Sequence, residues 1–238
     1  MKLINQWKKA IKGEIDVEKL KRAVQKNHPS LTSVTFTREC VLKCKHCVYP
    51  RANRCDLKLN DLNRIDKAIK ATFNAGNRDL VHVGRILKQE HLPILKKYQD
   101  KGMTLNLIDN GSGKRLIEKI KKEGVFFAGG IDISVDGNKK SHEAQRGSGA
   151  WELAMDGIST LKEVAGHISI TGTASALNFD TITEGLLEVK RRFPFTKVMQ
   201  ITTTSPTNFQ SQRMHLHPKE MKELFNNLIR VSKKQPPR

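Results

Sequence analysis

The stretch Cys40-Val41-Leu42-Lys43-Cys44-Lys45-His46-Cys47 places three of the chain's four cysteines within eight residues. It follows the segment Ser33–Arg38, in which Val34 and Phe36 alternate with threonines at the period of a β-strand. Three thiolates on one short loop suit an iron–sulfur cluster that keeps one iron open to a small molecule, because electron-transfer clusters usually have four cysteine ligands. The loop therefore predicts a chemically active centre at the end of a strand.

Beyond this loop, strand-like and helix-like segments alternate through most of the 238 residues. The predicted strands are Ser33–Arg38, Asp79–Val83, Met103–Ile108, Ile131–Val135, Ile168–Thr173 and Val198–Thr202. Apolar residues at helical spacing mark helices between them, over Leu62–Phe73, Ile94–Tyr98, Leu116–Ile120, Trp151–Leu161, Ile182–Phe193 and Pro218–Val231. Parallel neighbours need a crossover, which a helix supplies. Six such units predict an α/β fold, a partial (β/α)6 TIM-like barrel with its site at the carboxyl ends of the strands.

Two short basic helices are predicted ahead of the barrel, over Lys2–Ile11 and Val17–Val24, with Trp7 as their anchor. We expect them to cover one end of the barrel as an N-terminal helical cap. The expected organisation is an N-terminal helical segment over 1–30, one core domain over 31–232 and a C-terminal tail over 233–238. No shift in composition divides the core, and its length suits one large domain.

The spacing C-x3-C-x2-C, with His46 before the last cysteine, resembles the cluster loop of the radical S-adenosylmethionine (radical SAM) superfamily. In that family the three cysteines hold a 4Fe-4S cluster, and the amino and carboxylate groups of SAM chelate the fourth iron. The resemblance implies that Cys40, Cys44 and Cys47 hold such a cluster. It also implies reductive cleavage of SAM to a 5'-deoxyadenosyl radical, which abstracts hydrogen from a substrate. The family's core fold is the partial barrel, matched here over about Ser33–Thr204.

Residues after three of the predicted strands resemble family positions that contact SAM. After strand two most members carry Gly-Gly-Glu-Pro, whereas this chain reads VGRIL, so only Gly84 corresponds. After strand three, the sequence DNG is similar to the family's Thr-Asn-Gly, which makes Asn110 an expected SAM contact. After strand four, the sequence SVDG is similar to Ser-Leu-Asp-Gly, in which Ser134 would hydrogen-bond SAM. Each motif alone is typical of an ordinary turn, and their order after consecutive strands is what favours SAM binding.

The Ser-Leu-Asp-Gly form occurs in the branch that includes SPASM peptide maturases and the molybdenum-cofactor cyclase. A His, an Arg-Gly pair and a helix follow in that branch, and here His142, Arg146 and Trp151 come in the same order. Arg146 is therefore the candidate for holding the methionyl carboxylate of SAM, because a guanidinium fork matches a carboxylate with two parallel hydrogen bonds. No catalytic residue beyond these cofactor contacts is assigned.

SPASM maturases carry a C-terminal extension with cysteines for auxiliary clusters, and no cysteine follows Cys55 in this chain. We therefore expect a single cluster, with Cys55 a free thiol in a polar loop. The alternative is a structural zinc loop, in which Cys55 or His46 completes a tetrahedral site with the three cysteines. The changed motif after strand two would then reflect lost SAM binding, and the chain would be a non-catalytic basic module that binds a metal or a cluster.

The chain is strongly basic, with 43 Lys and Arg, 24 Asp and Glu and a formal net charge of +19, so its surface attracts anions. The resemblance implies an acidic electron donor such as flavodoxin or ferredoxin, and a peptide or protein substrate. Nucleic acid is a less favoured partner, because aromatic residues are only 5% and are not interleaved with basic ones. No apolar run suits a membrane span and no secretory signal begins the chain, so a cytoplasmic location is expected.

Overall fold

The computed structural model describes residues 31–37, 39–47, 62–83, 86–197, 199–204 and 213–234. In these ranges six strands form one parallel sheet, ordered as they occur along the chain. They are β1 Leu31–Val34, β2 Asp79–His82, β3 Thr104–Asp109, β4 Gly130–Ser134, β5 Ile168–Ala174 and β6 Met199–Thr203. The predicted α/β fold, a partial (β/α)6 TIM-like barrel, is confirmed. The N-terminal helical cap predicted over 1–30 lies outside the described residues.

Helices connect each strand to the next and follow the last one. In the described ranges they are α1 Leu62–Asn74, α2 Leu92–Gln99, α3 Ile117–Glu123, α4 Lys139–Arg146, α5 Ala150–Leu161, α6 Ile182–Arg192 and α7 Pro218–Lys234. Short 3-10 turns lie at Gln89–His91, Ser112–Leu116 and Lys162–Val164. Among the described helices, none combines the length and the apolar character that crossing a lipid bilayer requires.

Helix α4 is an element that the sequence analysis does not predict. Its sequence KKSHEAQR has no apolar stripe, and its buried side chains are polar. The helix begins after Asn138, whose side-chain oxygen accepts a hydrogen bond from the Ser141 N–H, and it ends at Gly147 with a φ of 105°. These are common start and stop signals. A helix that buries a polar face is missed by a search for apolar periodicity.

Strand β1 is shifted toward the N-terminus relative to the prediction. The expected strand was Ser33–Arg38, whereas β1 ends at Val34, because it pairs residue by residue with the short strand β2. Phe36 is nevertheless fully buried. The strand-like pattern of Val34 and Phe36 therefore extends past the end of β1, because Phe36 is buried outside the strand. The other five strands begin and end within one residue of their predicted bounds.

The outer face of the sheet packs against the helices and forms the core. Alternate residues of the central strands are buried there: Leu105, Leu107, Ile131, Ile133, Ile168 and Ile170. Helix α5 contributes Trp151, Met155 and Ile158 to the same cluster. Burying a side chain of this size stabilises the fold by about 1.5–3 kcal/mol. Because successive strand residues point to opposite faces, the residues between them line the hollow of the half-barrel.

Candidate functional site

The cysteine loop lies between β1 and α1, at the carboxyl ends of the strands. Cys40 is exposed, and Cys44 and Cys47 are half-buried. The Cys47 N–H donates to the Cys44 carbonyl at 3.3 Å, which closes a turn. The Lys45 N–H donates to the Gln145 carbonyl at 2.8 Å. The second half of the loop is therefore tied to the last turn of α4.

A buried ion pair joins the segment after β4 to the end of α4. The Arg146 guanidinium donates to both carboxylate oxygens of Asp136, from Nε at 2.5 Å and from Nη2 at 2.9 Å. The side chain of Asp136 is fully buried, and that of Arg146 is 9% exposed. Burial alone would raise the pKa of Asp136, but the charge and hydrogen bonds of Arg146 outweigh it and lower that pKa to about 2. Both side chains are therefore charged at neutral pH.

The side chain of Gln145 connects this ion pair to the end of β5. Its amide nitrogen donates to Asp136 Oδ2 at 2.8 Å and to the Thr173 carbonyl at 2.9 Å. Its amide oxygen accepts a hydrogen bond from the Ser175 hydroxyl at 2.5 Å. Because the Gln145 main-chain carbonyl also accepts the Lys45 N–H, one fully buried residue links the cysteine loop with the ends of β4 and β5.

Asn178, which is also fully buried, ties the same segments together from the other side. Its amide nitrogen donates to the Asp136 carbonyl at 2.7 Å and to the Thr173 carbonyl at 2.9 Å. Its amide oxygen accepts a hydrogen bond from the Ser175 N–H at 2.7 Å. A buried polar network whose members are all satisfied favours one arrangement of its segments. We call Asp136, Gln145, Arg146 and Asn178 the polar network.

Two groups near the cysteines favour the thiolate form, whereas burial opposes it. The Asn110 side-chain N–H donates to Cys40 Sγ at 3.5 Å. Burial raises the pKa of the Cys44 thiol to about 11, and the nearby Arg146 cation acts in the opposite direction. Nearby cations and hydrogen bonds to sulfur stabilise thiolates and tune the potential of a bound cluster. Three thiols on one loop, next to an amide donor and a guanidinium, therefore suit the predicted cluster.

His46, which the zinc alternative uses as a ligand, lies near the polar network. Its Nε2 is 3.9 Å from Asp136 Oδ2. Burial and the Arg146 charge lower the pKa of His46 to about 4, so the imidazole is neutral at neutral pH. Within the described ranges, no three His, Cys, Asp or Glu side chains are grouped as ligands of a single metal ion, and this holds for the set Cys40, Cys44 and Cys47 as well. Cys55, the other ligand considered for zinc, lies outside those ranges.

A row of uncharged polar residues crosses the inner face of the sheet next to the cysteine loop. The register of β3 against β4, continued by one residue, places Asn110 beside Ser134. Ser134 pairs with Thr171, and Thr171 pairs with Gln200. The Thr171 hydroxyl is buried on this face, next to the Asp132 carboxylate. We call these four residues the polar row, and its first member contacts Cys40.

The fold brings most of the residues selected from the sequence into one region. The members of this set are Cys40, Cys44, Cys47, Asn110, Ser134 and Arg146. Gly84 lies outside the described residues. The sequence analysis missed Asp136 and Gln145 as partners of Arg146. The available signal was a short polar segment between Asn138 and Gly147, which are typical helix-capping residues.

Comparison with known proteins gives matches in fold and none in sequence. No protein-family model matches the chain, and no curated protein matches it at a significant level. SuiB from Streptococcus suis, solved with SAM, matches 98% of this chain and 59% of its own length, with a TM-score of 0.66 and 14% identity. SuiB bound to the precursor peptide SuiA matches 89% of this chain and 49% of its own, with a TM-score of 0.66 and 13% identity.

Two further solved structures match with similar coverage. The protein anSMEcpe with bound AdoMet matches 84% of this chain and 59% of its own, with a TM-score of 0.65 and 16% identity. A radical SAM methyltransferase from Sphaerobacter thermophilus matches 84% of this chain and 63% of its own, with a TM-score of 0.57 and 11% identity. The chain thus spans about half to three fifths of the length of these proteins. Its fold is the core fold of radical SAM enzymes, as the resemblance of the cysteine loop predicts.

Proposed function

We propose that the chain is a radical SAM enzyme with one 4Fe-4S cluster, held by Cys40, Cys44 and Cys47. When bound, the cluster would supply the electron that cleaves SAM to a 5'-deoxyadenosyl radical, which abstracts hydrogen from the substrate. The observation that carries this proposal is the position of the cysteine loop. In a barrel with the radical SAM core fold, the loop lies at the carboxyl ends of the strands and contacts Asn110, beside Ser134.

The proposed SAM site consists of the polar row, Gly84 and Arg146. Asn110 and Ser134 offer neutral donors and acceptors next to the cysteines, as the ribose and amino groups of SAM require. Arg146 is assigned to the methionyl carboxylate. Arg146 donates two N–H groups to Asp136, and its remaining N–H groups are assigned to the methionyl carboxylate of SAM. The ion pair then has a second role, because it holds the guanidinium in one orientation.

The proposed substrate class is a peptide or protein. It is supported by the fold shared with SuiB, which has been solved with a precursor peptide, and by the sequence SVDG that begins at Ser134. The proposed electron donor is an acidic protein such as flavodoxin or ferredoxin, supported by the net charge of +19 and by the exposed Lys43 and Lys45 on the cysteine loop. Nucleic acid is the alternative partner.

The proposed organisation keeps 1–30 as an N-terminal helical segment, 31–232 as the core domain and 233–238 as a tail. The proposed location is the cytoplasm, where a reducing environment keeps the cysteine thiols available as ligands. Helix α7 runs to Lys234, two residues beyond the proposed end of the core.

Anaerobic reconstitution followed by iron analysis and a SAM cleavage assay tests the function. Wild-type protein should bind about four irons per chain and release 5'-deoxyadenosine when reduced. Alanine at Cys40, Cys44 or Cys47 should abolish iron retention, and Cys55→Ala is the matched control that should retain it. A colourless protein with one zinc would support the non-catalytic alternative, which the changed motif around Gly84 favours. Iron loss in Cys55→Ala equal to that of the other three would contradict the ligand assignment.

A further inference from the structure

A cavity opens at the amino ends of the strands, opposite the cysteine loop. Its volume is about 320 Å³, and its lining runs across the inner face from Leu31 at the start of β1 to Ser169 in β5. Gly130, at the start of β4 with a φ of 107°, helps to keep it open. A Cβ at that position would lie 2.5 Å from the His167 ring, which also lines the cavity.

Among the described residues that line the cavity, one carries a carboxylate, Asp132. Burial raises the pKa of this carboxyl group. In the described part of the chain, the ion pairs of Lys and Arg go to other acidic residues. The Thr171 hydroxyl and the His167 ring lie close enough to Asp132 to act on its pKa in the opposite direction, but among the described residues no Lys or Arg pairs with it, in a chain with 43 Lys and Arg. Its chemistry favours a cation from outside the described residues.

Apolar side chains form the rest of the wall near this carboxylate. Val81 is buried, Ile108 is half-buried, and Leu31 is 53% exposed. The register pairs Ile108 with Asp132, so the apolar wall and the carboxylate are neighbours on the inner face. Small-molecule sites commonly combine apolar walls with a few polar groups that fix orientation. A hydrocarbon stem that ends in a cationic head complements both parts of the cavity.

The cavity lies next to the polar row, on the side of the amino ends of the strands. Ile108 and Asp132 precede Asn110 and Ser134 by two residues on the same strands, and two residues span about 7 Å of strand. A group held at Asp132 would therefore lie beneath the residues assigned to SAM. That position allows the cavity to hold part of the substrate.

We propose that this cavity binds an alkylammonium group, with the ammonium paired to Asp132 and the aliphatic stem against Leu31, Val81 and Ile108. If the bound group belongs to the substrate, it is a lysine-like side chain or a small alkylamine; this part of the inference rests on the proposed function. The binding step does not depend on turnover. A chain of net charge +19 repels cations at long range, so selective uptake of an amine requires a local carboxylate.

The test is a titration of the full-length reconstituted protein with n-pentylamine at neutral pH, in which ligand-observed NMR detects binding. The comparison probes are 1-pentanol and pentanoate, which share the stem and carry a neutral or an anionic head. Pentylamine should bind most tightly, and Asp132→Asn should weaken it by at least about tenfold, the scale of a lost charged partner. The matched control is Asp100→Asn, an exposed aspartate paired with Lys96, which should leave binding unchanged.

A second variant keeps the test decisive if Asp132→Asn does not fold. Leu31→Arg places a competing cation at the exposed mouth and should also weaken pentylamine about tenfold, with little effect on folding. Equal binding of pentanol and pentylamine, or unchanged pentylamine binding in the folded variants, overturns the proposal. The SAM cleavage assay separates the two proposals. If amine binding depends on Asp132 but SAM is not cleaved, the proposed enzymatic function is refuted and the cavity assignment stands. If SAM is cleaved but amine binding does not depend on Asp132, the cavity assignment is refuted and the proposed function stands.

Discussion

Replacing Arg146 by methionine tests whether the ion pair with Asp136 holds the site together. Both side chains are buried, and methionine keeps an unbranched stem while removing the charge. The Asp136 carboxylate would keep the donors of Gln145 and the Thr173 N–H, at 2.8 Å each, but it would have no cation. Because Gln145 also accepts the Lys45 N–H, we expect both lower stability and a displaced cysteine loop.

The magnitude follows from what the substitution leaves behind. Removing one member of a buried ion pair costs about 3–5 kcal/mol, because the other charge stays buried without a partner. The two remaining donors to Asp136 place the expected loss for Arg146→Met near the lower end, at about 3 kcal/mol. Asp136→Asn should have a similar effect, because it strands the guanidinium. The double variant should lose less than the sum of the two, by about 1–3 kcal/mol.

Urea unfolding at neutral pH measures all three variants, with and without the cluster. The matched control is Arg191→Met, an exposed arginine in the last turn of α6, which should change the free energy of unfolding by less than about 0.5 kcal/mol. Calorimetry with SAM then shows whether Arg146 has its second role. A loss of about 1.5–3 kcal/mol in SAM binding is expected. A stability loss below about 1 kcal/mol for Arg146→Met, or strict additivity in the double variant, would refute the reasoning.

Three further predictions concern separate parts of the molecule. Burial raises the pKa of the Asp109 carboxyl group to about 6, so the protonated side chain contributes fully to stability below pH 4, and this contribution is lost as the pH rises through 6. Asp109→Asn should therefore raise the free energy of unfolding by up to about 3 kcal/mol at pH 7.5 and by little at pH 4, as measured by urea unfolding. Gly157→Ala would place a Cβ 2.3 Å from Gly111 Cα, so it should destabilise the fold by at least about 1–3 kcal/mol despite the better helix propensity of alanine, and equal or higher stability would contradict this packing. Replacing Lys43 and Lys45 together by glutamate should slow cluster reduction by a flavodoxin at low salt and have little effect at high salt; a rate that ignores both changes would exclude this face as the docking site.

The outer face of the sheet was predictable because burial there leaves a regular pattern. Leu105 and Leu107 alternate with Thr104 and Asn106 in β3, and the strand bounds follow within one residue. Strand β1 was misplaced because Phe36 is buried outside the strand, and the sequence cannot separate these two causes of an apolar residue. The cysteine positions were predictable for another reason, since metal chemistry restricts both residue type and spacing.

The polar network was not predictable, because its members have no fixed partner until the chain is folded. In the sequence KKSHEAQR, Gln145 resembles an ordinary solvated helix residue, and Asp136 resembles a turn residue before a glycine. Their burial follows from the fold, which brings α4 over the ends of β4 and β5. The roles of Asn110 and Ser134 were predictable only in part. Their motifs suggested SAM contacts, and only the strand register showed that the two residues are neighbours.

The barrel and the cysteine loop are therefore stabilised by different forces. Apolar packing on the outer face holds the strands, whereas the polar network and one main-chain hydrogen bond, from Lys45 to Gln145, tie the loop to them. Weakening the network through Gln145→Leu should consequently release the loop before the barrel unfolds, because leucine keeps most of the volume and removes the three hydrogen bonds of the side-chain amide. In hydrogen exchange, the amide of Lys45 should lose protection in this variant while the amides of β3 keep theirs. Equal loss of protection in β3 would show that the barrel also depends on the network.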